Sequence, residues 1–220
     1  RSNRIARAFG IEAILDNVGP KGSLRRTANE AKIGCITYEG GGSNEADPES
    51  VQVAIYGVLN VLRSLRMIPG YPSRPPFRLI ASGSTWIRSD QGGLLDVLAP
   101  AGSFVEEGEI VATVTDPECP GESHNIHTPS RGLLIGTATH PFVTAGTPIG
   151  HLLPVVRGVK TLRKRLDIEG CLIICGSDGE PPWREDDDVE DIAIGGEWSG
   201  GSPDAEWGHQ SGLDIEEESE

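Results

Sequence analysis

Cys35–Gly70 reads CITYEGGGSNEADPESVQVAIYGVLNVLRSLRMIPG, and the fold turns on how this stretch divides. Cys35–Tyr38 is a short apolar, β-favouring run that predicts a strand. It delivers Glu39 onto three consecutive glycines, where the backbone can turn sharply and a ligand can come close. Asp47 then stands where a helix N-cap belongs, and Pro48 takes the first helical position without losing a hydrogen bond. Val51, Ile55, Val58, Leu62 and Leu65 recur at helical spacing, which predicts a stripe packed on a sheet. Met67-Ile68-Pro69-Gly70 stops the helix. A carboxylate at the end of a strand beside a glycine turn makes Glu39 a candidate for acid–base chemistry. The alternative is a solvated charge at a strand end followed by a plain loop.

Upstream, Ile11–Leu15 predicts a strand, and the segment from Asn17 to Gly22 a turn. Ser23 caps a short helix over Leu24–Lys32. Strand, helix, strand in this order predicts a βαβ unit with a parallel pair, so residues 1–72 read as α/β. The opening RSNRIARAFG has the texture of the last turns of a helix, with Gly10 at its C-cap, and Arg1 stands where a start methionine would. The expectation is the C-terminal part of something longer. No apolar run is long enough to cross a bilayer, and no signal-peptide core follows the first residues. Cys35, Cys119, Cys171 and Cys175 match neither a disulfide scaffold nor a zinc ribbon, which points to a reducing, cytoplasmic setting and no membrane partner. Cys171 and Cys175 flank a short apolar run read as a buried strand.

Downstream, the proline-rich stretch from Tyr71 to Arg78 reads as a stiff connector and the domain boundary. Beyond it come short β-like runs at Gly83–Arg88, Gly93–Leu98, Ile110–Thr115, Leu133–Thr137 and Ile149–Leu153, with no substantial helix between Leu79 and Pro154. This segment repeats itself. Gly93-Leu94-Leu95, then Phe104-Val105 and Gly108, matches Gly132-Leu133-Leu134, then Phe142-Val143 and Gly146. Two such halves can interlock so that each buries the other's apolar face, and the pattern resembles the barrel-sandwich of biotinyl and lipoyl carriers. A carrier needs a lysine between the halves. From Tyr71 to Pro154 there is none, and the corresponding loop reads TDPECPGESHN, so residues 79–154 are expected to keep the fold as a structural all-β module.

The net charge of -14 is unevenly spread. Sixteen acidic residues and one arginine lie from Ser177 onward, and the rest of the chain is nearly neutral. That distribution argues against nucleic-acid binding, which needs a basic stripe. Residues 155–220 read as a basic patch, Arg157–Arg165, followed by an acidic tail too poor in apolar residues to order itself. Trp183, Trp198 and Trp207 lie within it, and the tail could fold back on the basic patch.

The run CITYEGGGS with its capped helix, then STWIRSDQGGLLDVLAPAGSFVEEGEIVATVTDP and HTPSRGLLIGTATHPFVTAGTPIGHLL, resembles the succinylglutamate desuccinylase/aspartoacylase family. The likeness spans Arg1 to about Leu153. It implies a zinc-carboxypeptidase-like α/β domain, with one Zn²⁺ held by a His-x-x-Glu pair and a later histidine, and a small β domain over the entrance. The implied activity is a deacylase that hydrolyses the amide of an N-acyl amino acid or similar conjugate, with that small molecule as its partner and oligomerisation possible. Glu39 matches the family's catalytic glutamate, which takes a proton from the metal-bound water and returns it to the departing amine.

The metal ligands do not transfer. No histidine here is followed three residues later by glutamate, so the zinc ligands are expected upstream and this chain alone is expected to be inactive. Cys119, His124 and His127 sit in one apparent loop but lack an evident fourth ligand, and read as surface polar residues. Arg25, Arg26 and Arg88 have the charge to grip a carboxylate, as ordinary surface arginines also do. The competing reading is a non-catalytic binding or scaffold protein that retains the β module.

Overall fold

A computed structural model describes residues 1–42, 46–75, 77–119, 121–156, 158–164 and 190–194. In chain order the α/β part holds α1 (Ser2–Phe9), β1 (Ala13–Leu15), α2 (Leu24–Glu30), α3 (Pro48–Ser64) and β2 (Phe77–Ala81). Gly10 ends α1 in the left-handed conformation. Ser23 caps α2, its side chain accepting from the Arg26 N–H at 3.3 Å. Asp47 caps α3 by accepting from the Ser50 N–H at 2.9 Å, and its hydrogen bonds to Ser50 hold its pKa below the ordinary value.

The apolar stripe of α3 does not pack on a sheet. Val51, Ile55, Val58 and Leu65 are 46, 47, 54 and 40% exposed. Gly57 and Asn60, on the opposite side of the helix, are its buried residues. A Cβ on Gly57 would lie 2.2 Å from Cζ of Phe9, so glycine is what lets α1 approach α3. The Asn60 amide donates to the carbonyls of Phe9 (3.4 Å) and Ser73 (3.3 Å), and its oxygen accepts from the Ser73 N–H at 3.1 Å. This polar knot, rather than the stripe, fastens α3 to its neighbours.

Cys35–Tyr38 is not a strand. A strand needs a neighbour to pair with, and the parallel pairing in this part of the molecule is made by β2 instead. It runs parallel to β1 on one side and to β11 (Glu190–Ile194) on the other. The parallel pair predicted near the start exists, but its second member is β2, which begins inside the stretch read as a connector.

β11 also corrects the reading of the tail. Ile192 and Ile194 are buried in one cluster with Phe77, Leu79 and Ala81 of β2, and with Leu133, Leu153, Val155 and Leu162. Asp191 pairs with Arg7 and, at 3.6 Å, with Arg78. The tail therefore folds back at this point onto the α/β part and, through Ile192, onto Gly158 and Leu162 of the Arg157–Arg165 segment. Within that patch, α4 (Val159–Arg163) buries Leu162, while Arg163 pairs with Glu106 and lies 5.7 Å from the Phe104 ring centroid. The Leu172–Ile174 run, Cys171, Cys175 and the three tail tryptophans lie outside the described residues.

The β module consists of β3 (Thr85–Arg88), β4 (Gly93–Val97), β5 (Phe104–Val105), β6 (Ile110–Thr115), β7 (Ser123–His127), β8 (Gly132–Thr137), β9 (Phe142–Val143) and β10 (Pro148–Pro154). They form two antiparallel sheets, ordered β3-β10-β8-β5 and β7-β6-β4-β9. The repeated Phe-Val pairs cross between the halves. Phe104 and Val105 pair with β8, while Phe142 pairs with Leu94 and Val143 with Gly93 on β4. Each half thus supplies a strand to the other's sheet, and Val105, Val111, Val114, Leu134, Ile149 and Leu152 fill the space between them. The loop predicted to carry His124 and His127 is instead a turn followed by β7, paired with β6.

Candidate functional site

The segment leading to Glu39 is anchored by side chains instead of by a sheet. The Cys35 N–H donates to Ser2 Oγ at 3.2 Å. The Tyr38 ring packs on Phe9, with centroids 5.3 Å apart, and its hydroxyl donates to the Ser50 carbonyl at 3.1 Å. Glu39 follows and is exposed. A Cβ on Gly40 would lie 2.3 Å from the Tyr38 hydroxyl, and Gly41 has φ +79°. These two glycines let the chain fold around Tyr38 and turn away, leaving the carboxylate outside the packing. The acid is held from behind and free in front.

The β module holds a second notable pair. His151 of β10 is the cross-strand partner of Trp86 on β3. The rings stack with centroids 4.0 Å apart and planes 6° from parallel. Trp86 is 42% exposed, whereas Nε2 of His151 is buried and has no hydrogen-bond partner among the described residues. Burial lowers the His151 pKa, and the negative charge of Glu39 works in the opposite direction. Sequence reasoning singled out Glu39 but not His151 or Trp86, whose meeting depends on the β3–β10 register.

The other candidates do not join this cluster. Arg25 donates to the Asn17 side chain at 2.8 Å, Arg26 pairs with Glu30 at 2.9 Å, and Arg88 donates to the Gly146 carbonyl at 2.8 Å. All three brace local turns or a helix. His124 and His127, three residues apart on β7, fall on opposite faces of the strand. His127 Nδ1 lies 2.8 Å from the Gly108 carbonyl, and Cys119 is exposed in the preceding turn. Among the described residues no three His, Cys, Asp or Glu side chains come together to hold a metal ion, and no helix is long and apolar enough to cross a membrane. Two open surface hollows, one at the end of α3 around Arg63, Met67 and Tyr71, the other between Arg1, Asn29 and Ile33, are not lined by Glu39.

No family model and no curated protein matches this sequence. Solved structures do. A succinylglutamate desuccinylase from Silicibacter sp. TM1040 aligns with a TM-score of 0.60 at 23% identity, covering 67% of this chain and 47% of the other. The ectoine utilization protein EutE (DoeB) from Ruegeria pomeroyi aligns at 0.64 and 18% identity, covering 70% and 50%. An aspartoacylase family protein from Mesorhizobium loti aligns at 0.56 and 18% identity, covering 71% and 48%. The chain spans about half the length of each of these structures. Over about 70% of its own length, it has the fold of succinylglutamate desuccinylase/aspartoacylase family proteins.

Proposed function

We propose that this chain is part of a hydrolase that cleaves the amide of an N-acyl amino acid or a similar acyl conjugate, with Glu39 as its general base. The observation that carries this reading is the position of Glu39. It is an exposed carboxylate on a glycine turn, pinned from behind by Tyr38, in a fold shared with succinylglutamate desuccinylase/aspartoacylase structures. In the proposed reaction Glu39 accepts a proton from the water that attacks the acyl carbonyl. The C–N bond then breaks, and Glu39 hands that proton to the departing amine, leaving a free carboxylate and a free amine.

The zinc implied by the resemblance does not fit the residues described. His124 and His127 face opposite ways, and no three-residue donor set exists among the described residues. In this proposal the metal is held by residues outside these 220, and no step above is assigned to it.

The test is a longer protein that carries this sequence, assayed for release of free amine from a panel of N-acyl amino acids. Glu39→Gln should lower kcat by roughly 10²–10⁴-fold with little change in KM, the usual worth of a positioned base. Wild-type turnover by the variant would remove Glu39 from the chemistry, and absence of hydrolysis across the panel would remove the activity.

A further inference from the structure

The run before Glu39 has the side chains of a strand but, among the described residues, none of a strand's backbone pairing. Residues 33–40 pass without turn or bend between α2 and the glycines. Both ends of the run are fastened. Gly34 lies so close to α1 that a Cβ there would be 2.6 Å from Cδ1 of Ile5, and the Cys35 N–H donates to Ser2 Oγ at 3.2 Å. Further on, Tyr38 is held by the Phe9 ring and the Ser50 carbonyl. Between these anchors the main chain is open. The Ile36 N–H, and both the N–H and the C=O of Thr37, bond to nothing among the described residues. The Ile36 carbonyl meets only the thiol of its neighbour Cys35, at 3.9 Å. Thr37 is exposed, which leaves its main-chain groups to water.

A straight main chain, fixed at both ends and unpaired between them, is the kind of edge to which another strand adds. Ile36 and Thr37 are β-branched, which suits a pleated pair. Successive N–H and C=O groups along an extended run are matched by another main chain, not by a small ligand or a purely apolar surface. Apolar side chains stand at both ends of the edge. Ile33, 62% exposed, lines an open hollow with Arg1, Ser2 and Asn29, and Val51, 46% exposed, begins the bare stripe of α3 directly after Ser50. The solved structures with this fold are covered over only 47% and 50% of their length, so each holds as much chain again without a counterpart here. We propose that residues 35–38 are a docking edge for an extended polypeptide segment from outside these 220 residues, paired main chain to main chain with Ile36 and Thr37. Its arrival makes the run a strand and fixes the backbone that leads into Glu39. The inference does not depend on Glu39 acting as a base.

The test is amide hydrogen exchange on the 220-residue chain and on a longer protein that carries it. In the shorter chain the Ile36 and Thr37 amides should exchange at nearly the free-peptide rate at every protein concentration. In the longer protein they should be slowed at least about 100-fold. Fast exchange in both proteins, or equal protection in both, overturns the proposal. Protection in the shorter chain that grows with its concentration also overturns it, because the occupant is then a second copy. Thr37→Pro removes one N–H and suits an extended backbone. It should leave the urea midpoint of the shorter chain unmoved, since that N–H is unbonded there, and lower the midpoint of the longer protein. Thr37→Val, which keeps the N–H, should lower neither. Equal shifts of the Pro variant in both proteins overturn the proposal. Neither readout uses an acyl-amide assay, so failure of the functional reading leaves this test intact.

Discussion

Glu12 gives the sharpest prediction about the folded chain. Its carboxyl is only 3% exposed and sits just before β1, with its own carbonyl accepting from the Leu79 N–H at 2.6 Å. Desolvation raises its pKa from an ordinary 4.5 to about 8, and a hydrogen bond from its own backbone only partly offsets the rise. The folded protein therefore holds a proton on Glu12 between pH 4.5 and about 8, whereas the unfolded chain has released it. Stability must fall as pH rises through that window, because unfolding releases the proton. The slope is about 1.4 kcal/mol per pH unit, and the full window is worth at most about 5 kcal/mol. Below pH 4.5 both states are protonated and the cost vanishes. Glu12→Gln keeps the shape and removes the ionisation. Urea unfolding of both proteins at pH 5, 6, 7 and 8 should show the wild type losing stability relative to the variant by several kcal/mol overall. Parallel pH profiles for the two proteins would refute the argument. Other titrating groups move both curves together, so only their difference bears on Glu12.

Two further outcomes follow from packing. Ile194 is 2% exposed in the cluster that joins β11 to β2 and the β module, so Ile194→Ala should cost about 2–5 kcal/mol in a denaturant titration. A loss under about 0.5 kcal/mol would mean that β11 is not part of the core. The exposed stripe on α3 predicts self-association of the isolated chain. Val58→Glu should shift sedimentation toward the monomer without reducing helical circular dichroism, and an unchanged sedimentation profile would count against the stripe as the contact.

The β module was legible because its signals are local. Alternating apolar residues, glycine turns and the repeated Phe-Val pairs specify the strands, and the duplication specifies that the halves interlock. The helix α3 was legible for the same reason: Asp47, Pro48 and the 3.6-residue period are all contained in one stretch. What its periodicity could not show is whether anything lies against Val51, Ile55 and Val58. A period identifies a face, not a partner. Cys35–Tyr38 failed similarly, since β-favouring side chains do not say whether a partner strand lies beside them. The tail failed in the other direction. Acidic composition argues for disorder, yet Asp191 meets Arg7 and Arg78, and two isoleucines meet a core assembled from distant residues. No window of sequence contains those partners. At the site, Glu39 stood out by its glycines, while the Trp86–His151 pair is a product of strand register alone.

These long-range contacts also set the site. His151 and Leu153 lie two residues apart on β10, and Leu153 is packed with Leu79, Ile192 and Ile194 in the cluster that joins the β module to the parallel sheet. Glu39 is fastened to the α/β part through Tyr38, Phe9 and Ser50. The β module is thus joined to the parallel sheet by a core that neither Glu39 nor His151 enters, and β11 is one wall of that core. Loosening β11 should then weaken the hold of the β module on the parallel sheet before it unfolds either part. The strand inside the acidic tail is one of the elements that holds the β module against the parallel sheet.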